Sequence, residues 1–195
     1  MSEAAPAGAT YQDVLDAPPN KVAEMVEGQL QLSPRPASPH ARSASALGMD
    51  LGNPFDRGRG GPGGWWILHE PELHFGADVL VPDLGGWRRE RMPRIANTPY
   101  FKLAPDWVCE VISPTTARFD RIKKVPLYAA HGVSYCWLVD PLQRTLEILE
   151  LKGDSYSLVQ ALGEEDLVRA RPFDAIELEL SGLWLDESET PIPGR

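Results

Sequence analysis

Two carboxylates and two ammonium groups in the middle of this chain are of the right types to do chemistry together: Asp83 and Glu110, with Lys123 and Lys124. Asp83 follows the hydrophobic run Val79, Leu80, Val81. Glu110 sits inside the run at 107–112, and Asp120, Lys123 and Lys124 come just behind a Ser-Pro-Thr-Thr turn at 113–116. Carboxylates held rigidly on neighbouring strands make a hard, oxygen-rich pocket suited to Mg²⁺ or Mn²⁺. A lysine beside them can polarise or deprotonate an attacking water, so metal-assisted cleavage of a phosphodiester is the first reaction to consider.

The elements that must position these groups show in the hydrophobic pattern. Residues 78–82 read as a buried strand ending at Pro82 and Asp83, and residues 107–112 as a second buried strand. Alternation puts Glu110 on the face shared by Val108 and Ile112, where a charge is expensive unless it is paired or metal-bound. After the Ser-Pro-Thr-Thr turn, helical spacing runs to His131 and Gly132 and sets Asp120, Lys124 and Tyr128 on one face. Pro126 interrupts that helix at a cost of roughly 3 kcal/mol, which predicts a kink or a delayed start near 122–125.

Around this centre, residues 11–17 read as a short helix and residues 22–26 and 29–32 as a hairpin about Glu27 and Gly28. Glu24 then shares a face with Val22 and Val26. Ser38 as N-cap and Pro39 at the first position open a helix to about Leu51, with His40 in its first turn. Residues 52–64, rich in glycine, read as a mobile loop that fits neither nucleotide-binding glycine pattern. Residues 65–68, 73–75 and 135–139 read as strands, 145–151 and 156–160 as a hairpin about Gly153 and Asp154, and 175–180 as a late strand.

At 195 residues the expectation is one domain over 11–185, with a disordered lead-in at 1–10 and a loose tail at 186–195. The composition, 43% hydrophobic and 24% charged, is that of an ordinary globular protein, and no apolar run approaches the ~20 residues of a membrane helix. The first ten residues do not read as a secretory signal. Two cysteines in strand-like runs, Cys109 and Cys136, favour a reducing, cytoplasmic location and argue against structural zinc. The net charge of −9 is awkward for a nucleic-acid enzyme, although residues 87–94 and 118–124 are local basic patches. Both patches also read as solvated surface; the tryptophans read as core, except that Trp87 beside arginines could touch nucleic acid.

Taken in order, Val-Pro-Asp at 81–83, Cys-Glu-Val-Ile-Ser-Pro-Thr-Thr at 109–116, Asp120, Lys124, Tyr128, Gly132-Val133 and Tyr-Cys-Trp-Leu-Val-Asp-Pro at 135–141 resemble the Uma-two family. These are bacterial proteins described as "putative restriction endonuclease", a branch of the PD-(D/E)XK nuclease superfamily, and the resemblance covers about residues 22–185. It implies an α/β, restriction-endonuclease-like fold: a mixed central β-sheet carrying Asp83 and Glu110, flanked by helices that open at Ser38 and Thr116 and extended by the first and last β-hairpins. It implies that Asp83 and Glu110 bind Mg²⁺ or Mn²⁺. The lysine expected two residues beyond the glutamate is Ile112 here, and a lysine of the next helix stands in, Lys124 as the best match and Lys123 as the alternative. Glu24 and His40 resemble family residues beside the site, where Asp120 and Tyr128 would also lie. DNA is the implied partner, and a homodimer would suit cutting both strands; Arg88, Arg89 and Arg91 of the 87–94 patch are the candidate nucleic-acid contacts.

Each assignment has a plainer rival. Asp83 could cap a turn, Lys124 could pair with Asp120 on a solvated face for only ~0.3–0.5 kcal/mol, His40 could be a helix-start histidine, and Tyr128 could simply pack. At the level of function the rivals are a catalytically silent binding or assembly module, and a metal-dependent hydrolase acting on something other than nucleic acid. A basic approach to the carboxylates would favour the nuclease, and an acidic or closed one the others.

Overall fold

The computed structural model describes residues 8–185. The chain begins α1 (Tyr11–Leu15), β1 (Lys21–Val26), β2 (Gln29–Pro34) and α2 (Ser38–Leu51). It continues through β3 (Trp65–His69), β4 (Leu73–Phe75), β5 (Asp78–Leu80), β6 (Leu84–Arg88) and β7 (Trp107–Val111). After α3 (Ala117–Phe119) and α4 (Val125–Ala130) come β8 (Tyr135–Asp140), β9 (Thr145–Lys152), β10 (Ser155–Gly163), β11 (Leu167–Val168) and β12 (Leu178–Glu179). The expected lead-in falls largely, and the expected tail wholly, outside the described residues. No helix among the described residues is long and apolar enough to cross a membrane.

A run such as Trp107–Val111, buried at all five positions, has apolar side chains on both faces and needs cover on both. It receives that cover at the centre of a six-stranded sheet ordered β10-β9-β8-β7-β6-β3. Only β7 and β8 run parallel, joined by the α3–α4 crossover; the other pairs are antiparallel. On one face Ala46, Leu47 and Leu51 of α2 pack with Phe55 and Phe173 over Trp65, Trp107 and Trp137. On the other, Val108, Cys136 and Leu138 meet Tyr128 and Val133 of the crossover, with Leu73, Phe75 and Leu80 of a second sheet. That second, four-stranded sheet is ordered β2-β1-β5-β4.

Several expectations are corrected. The first hairpin does not extend the central sheet; it joins β5 through Met25 opposite Val79. The strand expected at 78–82 is only Asp78–Leu80 and belongs to that smaller sheet, while Asp83 stands immediately before a new strand, β6. Gly85 and Gly86 hide β6 in the sequence, because glycine weakens a strand. Here glycine is needed: a Cβ on Gly86 would stand 3.0 Å from the Trp107 ring. Trp87 is fully buried, with Nε1 donating to the Leu103 carbonyl at 2.9 Å, so it has no face for a nucleic-acid base.

Helix starts and stops also shift. Ala37, not Ser38, is the N-cap of α2, and Pro39 lies in its first turn, where its missing N–H costs nothing. Residues 52–64 are not all loop, since Gly52–Asp56 form a π-turn that continues α2 and buries Phe55. The late strand shrinks to Leu178–Glu179, followed by a 3₁₀ turn at Leu180–Leu183. Around Pro126 the expected late start is found: α4 begins at Val125, with Pro126 in its first turn. A π-turn over Asp120–Lys124 separates α3 from α4, and its wider i→i+5 pattern accommodates a residue that has no N–H to donate.

Candidate active site

The antiparallel register of β6 and β7 pairs Leu84 with Cys109, so one step further along it Asp83 comes beside Glu110, at the carboxyl end of β7. Asp83 is held from both sides. Its Oδ2 accepts the Val111 N–H at 2.7 Å, and its Oδ1 lies 2.6 Å from His40 Nε2, which the first turn of α2 brings in.

Lys124 is the centre of the cluster. Its ammonium lies 2.8 Å from Glu24 Oε1, 2.8 Å from Glu110 Oε1 and 3.9 Å from Asp120 Oδ1, and its side chain is 3% exposed. Glu24 reaches it from β1 and is steadied by the Val81 N–H at 2.8 Å. Glu110 Oε1 also accepts the Tyr128 hydroxyl at 2.5 Å. The π-turn places Asp120 and Lys124 at its two ends with both side chains buried.

Four carboxylates, those of Glu24, Asp83, Glu110 and Asp120, thus share one ammonium and one imidazole. The charge excess shows in the proton affinities. Burial pushes the Glu110 carboxyl well above the ordinary glutamate range; Lys124 opposes this, and Asp120, Asp83 and Glu24 add to it. Asp120 is pushed up to about 6, by burial first and against the pull of Lys124. Burial alone would lower the Lys124 pKa, but Glu110, Glu24 and Asp120 outweigh it and hold the ammonium well above the usual lysine range. At neutral pH, Lys124 can therefore neutralise charge but cannot abstract a proton.

The cluster lines a cleft of about 290 Å³, walled by Val22, Ser33 and Pro34 of the first hairpin and by the 113–116 turn. A larger groove of about 450 Å³, lined by Glu150, Lys152, Arg169 and Arg171, lies at the opposite end of the central sheet. Its lysine and arginines are largely solvated, so the buried chemistry belongs to the smaller cleft.

Among the described residues no three His, Cys, Asp or Glu side chains stand ready as a complete metal shell. A Mg²⁺ site does not require one, because that ion keeps several waters and takes one or two protein carboxylates. Asp83 and Glu110 supply such a pair, and Glu110 Oε2 is engaged by no described residue. The donor set and its negative excess suit a hard divalent cation.

Of the residues singled out in the sequence, Glu24, His40, Asp83, Glu110, Asp120, Lys124 and Tyr128 come together here. Lys123 does not; it turns outward to Glu27 at 2.5 Å. Arg88, Arg89 and Arg91, expected as nucleic-acid contacts, sit at and beyond the far end of β6 from Asp83 and do not line the cleft. Arg88 lies over Trp65 at 4.6 Å, Arg89 over Trp66 at 3.7 Å, and Arg91 pairs with Asp106 at 2.8 Å. Sequence reasoning missed Arg35 and Glu70 at the cleft mouth, whose pairing joins positions that no local spacing connects.

Compared with known proteins, the chain matches, over residues 9–181, the family model described as "Uma2: Putative restriction endonuclease". A solved structure described as a putative nuclease belonging to DUF820, from Anabaena variabilis, resembles it with a TM-score of 0.73. The two are 24% identical, and the likeness covers 90% of this chain and 97% of that one, which shows a shared fold. No curated protein matches.

Proposed function

Since the chain belongs to the Uma2 family, whose description is "putative restriction endonuclease", we propose that the carboxylate cleft is the active site of a metal-dependent endonuclease that hydrolyses DNA phosphodiester bonds. One observation carries this reading: three buried carboxylates gathered around a single ammonium, with Asp83 and its His40 partner beside them, in a cleft open to solvent. Such an excess of like charge destabilises the fold, and perturbed carboxyl groups of this kind concentrate where chemistry is done.

In this reading Asp83 and Glu110, with a backbone carbonyl such as that of Val111, hold Mg²⁺ or Mn²⁺. The bound ion supplies Lewis acidity toward the phosphate and toward water. His40 and the Val111 N–H fix the orientation of Asp83, and Tyr128 does the same for Glu110. Lys124, locked as an ammonium, offsets negative charge growing on the phosphoryl oxygens. Asp120, pushed up to about 6, has the basicity suited to accepting a proton near neutral pH at its carboxylate oxygen.

Calorimetric titration with Mn²⁺ and Mg²⁺ tests the proposal, on the parent, Asp83→Ala and Glu110→Ala, followed by incubation of each with supercoiled and single-stranded DNA. Metal binding and cutting by the parent, both lost in the two variants, is the expected result. A parent that binds no metal removes the proposal. One specific observation favours a catalytically silent module instead: the Lys124 ammonium already bridges Glu24 and Glu110 at 2.8 Å from each. Under that reading the fold would bind its partner without cutting, and metal would leave the protein's melting temperature unchanged.

A further inference from the structure

A nucleic-acid strand entering this cleft brings phosphates toward four carboxylates, so it needs a cation that is not already consumed. Among the described residues lining the cleft only Arg35 and Lys124 carry permanent positive charge, and Lys124 is buried among Glu24, Glu110 and Asp120. Arg35 is 53% exposed and is held only loosely, with Nη1 3.6 Å from Glu70 Oε2 and Nη2 donating to the Pro19 carbonyl at 3.3 Å. A solvated pair at that distance contributes little to stability and leaves guanidinium N–H groups free to take a phosphate while Glu70 stays beside it.

Arg35 and Glu70 also line a second groove of about 250 Å³, formed by Pro18, Pro19 and Lys21. The two residues therefore stand where the carboxylate cleft and this groove meet. Among the described residues Glu70 shares a left-handed backbone with three other non-glycine residues, Glu27, Arg144 and Glu164. For Glu70 φ is +44°, a conformation that L side chains adopt at a cost, and its N–H is tied to the Asp83 carbonyl at 3.0 Å. Glycine would occupy that position with less strain, so a glutamate there costs the fold some stability.

We propose that Arg35 is the phosphate-binding residue of the site: it seats a nucleic-acid strand that runs from the carboxylate cleft into the Pro18–Lys21 groove, with Glu70 as the residue that positions its guanidinium. The inference rests on the nuclease reading of the cleft, and the test separates the two. Fluorescein-labelled single-stranded and duplex DNA are titrated by anisotropy at several salt concentrations against the Glu110→Gln protein, alone and combined with Arg35→Gln, Arg35→Lys or Glu70→Gly.

Arg35→Gln is expected to weaken binding about five- to tenfold and to reduce the log–log salt slope by about 0.7 on single strands. Arg35→Lys keeps that slope while losing part of the affinity, because the charge remains and the guanidinium fork does not. Glu70→Gly is expected to leave the melting temperature unchanged or raise it, yet weaken binding. If Glu110→Gln binds DNA and Arg35→Gln leaves both affinity and slope unchanged, the role of Arg35 is overturned and the nuclease reading stands. A Glu70→Gly protein that melts lower and binds as before makes Glu70 merely structural and overturns its role. If the parent neither binds nor cuts DNA, both proposals fall together.

Discussion

Replacing Lys124 with methionine, of similar length, removes the one ammonium shared by Glu24, Glu110 and Asp120 while leaving the packing nearly intact. Removing one partner of a buried ion pair costs about 3–5 kcal/mol, because the remaining charges are left uncompensated. In a chain of this size each kcal/mol lowers the melting temperature by roughly 2–4 °C, so Lys124→Met should melt roughly 6–20 °C below the parent in metal-free buffer at pH 8. The loss must depend on pH. Asp120 in the parent is pushed up to about 6, above its unfolded value of ~3.9, so the fold favours the protonated form. Its contribution is therefore full below about pH 4 and is lost as pH rises through 6, at most about 3 kcal/mol. Without Lys124 the Asp120 pKa moves higher still, so the variant falls further behind the parent as pH climbs and catches up in acid. Thermal melts in EDTA at pH 4.5 and pH 8 measure the gap directly. A variant melting within about 2 °C of the parent at pH 8, or a gap of equal size at both pH values, would refute the buried network.

Tyr128→Phe leaves the buried Glu110 Oε1 without its hydroxyl donor and should cost about 1–3 kcal/mol in urea unfolding with an unchanged m-value. Phe173 lies 4.7–5.6 Å, centroid to centroid, from Phe55, Trp65, Trp107 and Trp137, so Phe173→Ala should lose about 3–5 kcal/mol in the same measurement. Arg121→Ala breaks a bidentate but solvated pair with Glu147 and should change stability by less than about 1 kcal/mol; a larger loss would show that exposed pairs count for more here than argued.

How far the sequence reaches differs by residue. Glu110 is legible because a carboxylate amid Val108, Cys109, Val111 and Ile112 has no cheap explanation, and the structure gives it Lys124 and Tyr128 as partners. The placement of Asp83 is only half legible. Its neighbourhood to β7 can be expected, but the strand that provides it, β6, is masked by Gly85 and Gly86, whose need becomes visible only once the Trp107 ring is in place. Choosing between Lys123 and Lys124 requires the helix phase. Adjacent residues point about 100° apart in an α-helix, and the π-turn at 120–124 alters that phase in a way spacing does not announce. Glu24 reads correctly as a carboxylate on the apolar side of its strand, yet the lysine that explains it lies in the crossover helix, where no local pattern reaches.

The ionic cluster draws its members from four places in the chain: a hairpin, the start of a helix, the central sheet and its crossover. Its contacts close long loops, 57 residues between Glu24 and Val81 and 43 between Val81 and Lys124. Loop closure of that kind consumes chain entropy before any ion pair repays it, so the cluster can complete only when the small sheet docks on the large one. The cleft then has no partly folded precursor. During refolding, any signal from the cluster, such as the recovery of metal binding, should appear with the final docking phase and lag behind the formation of helix and strand.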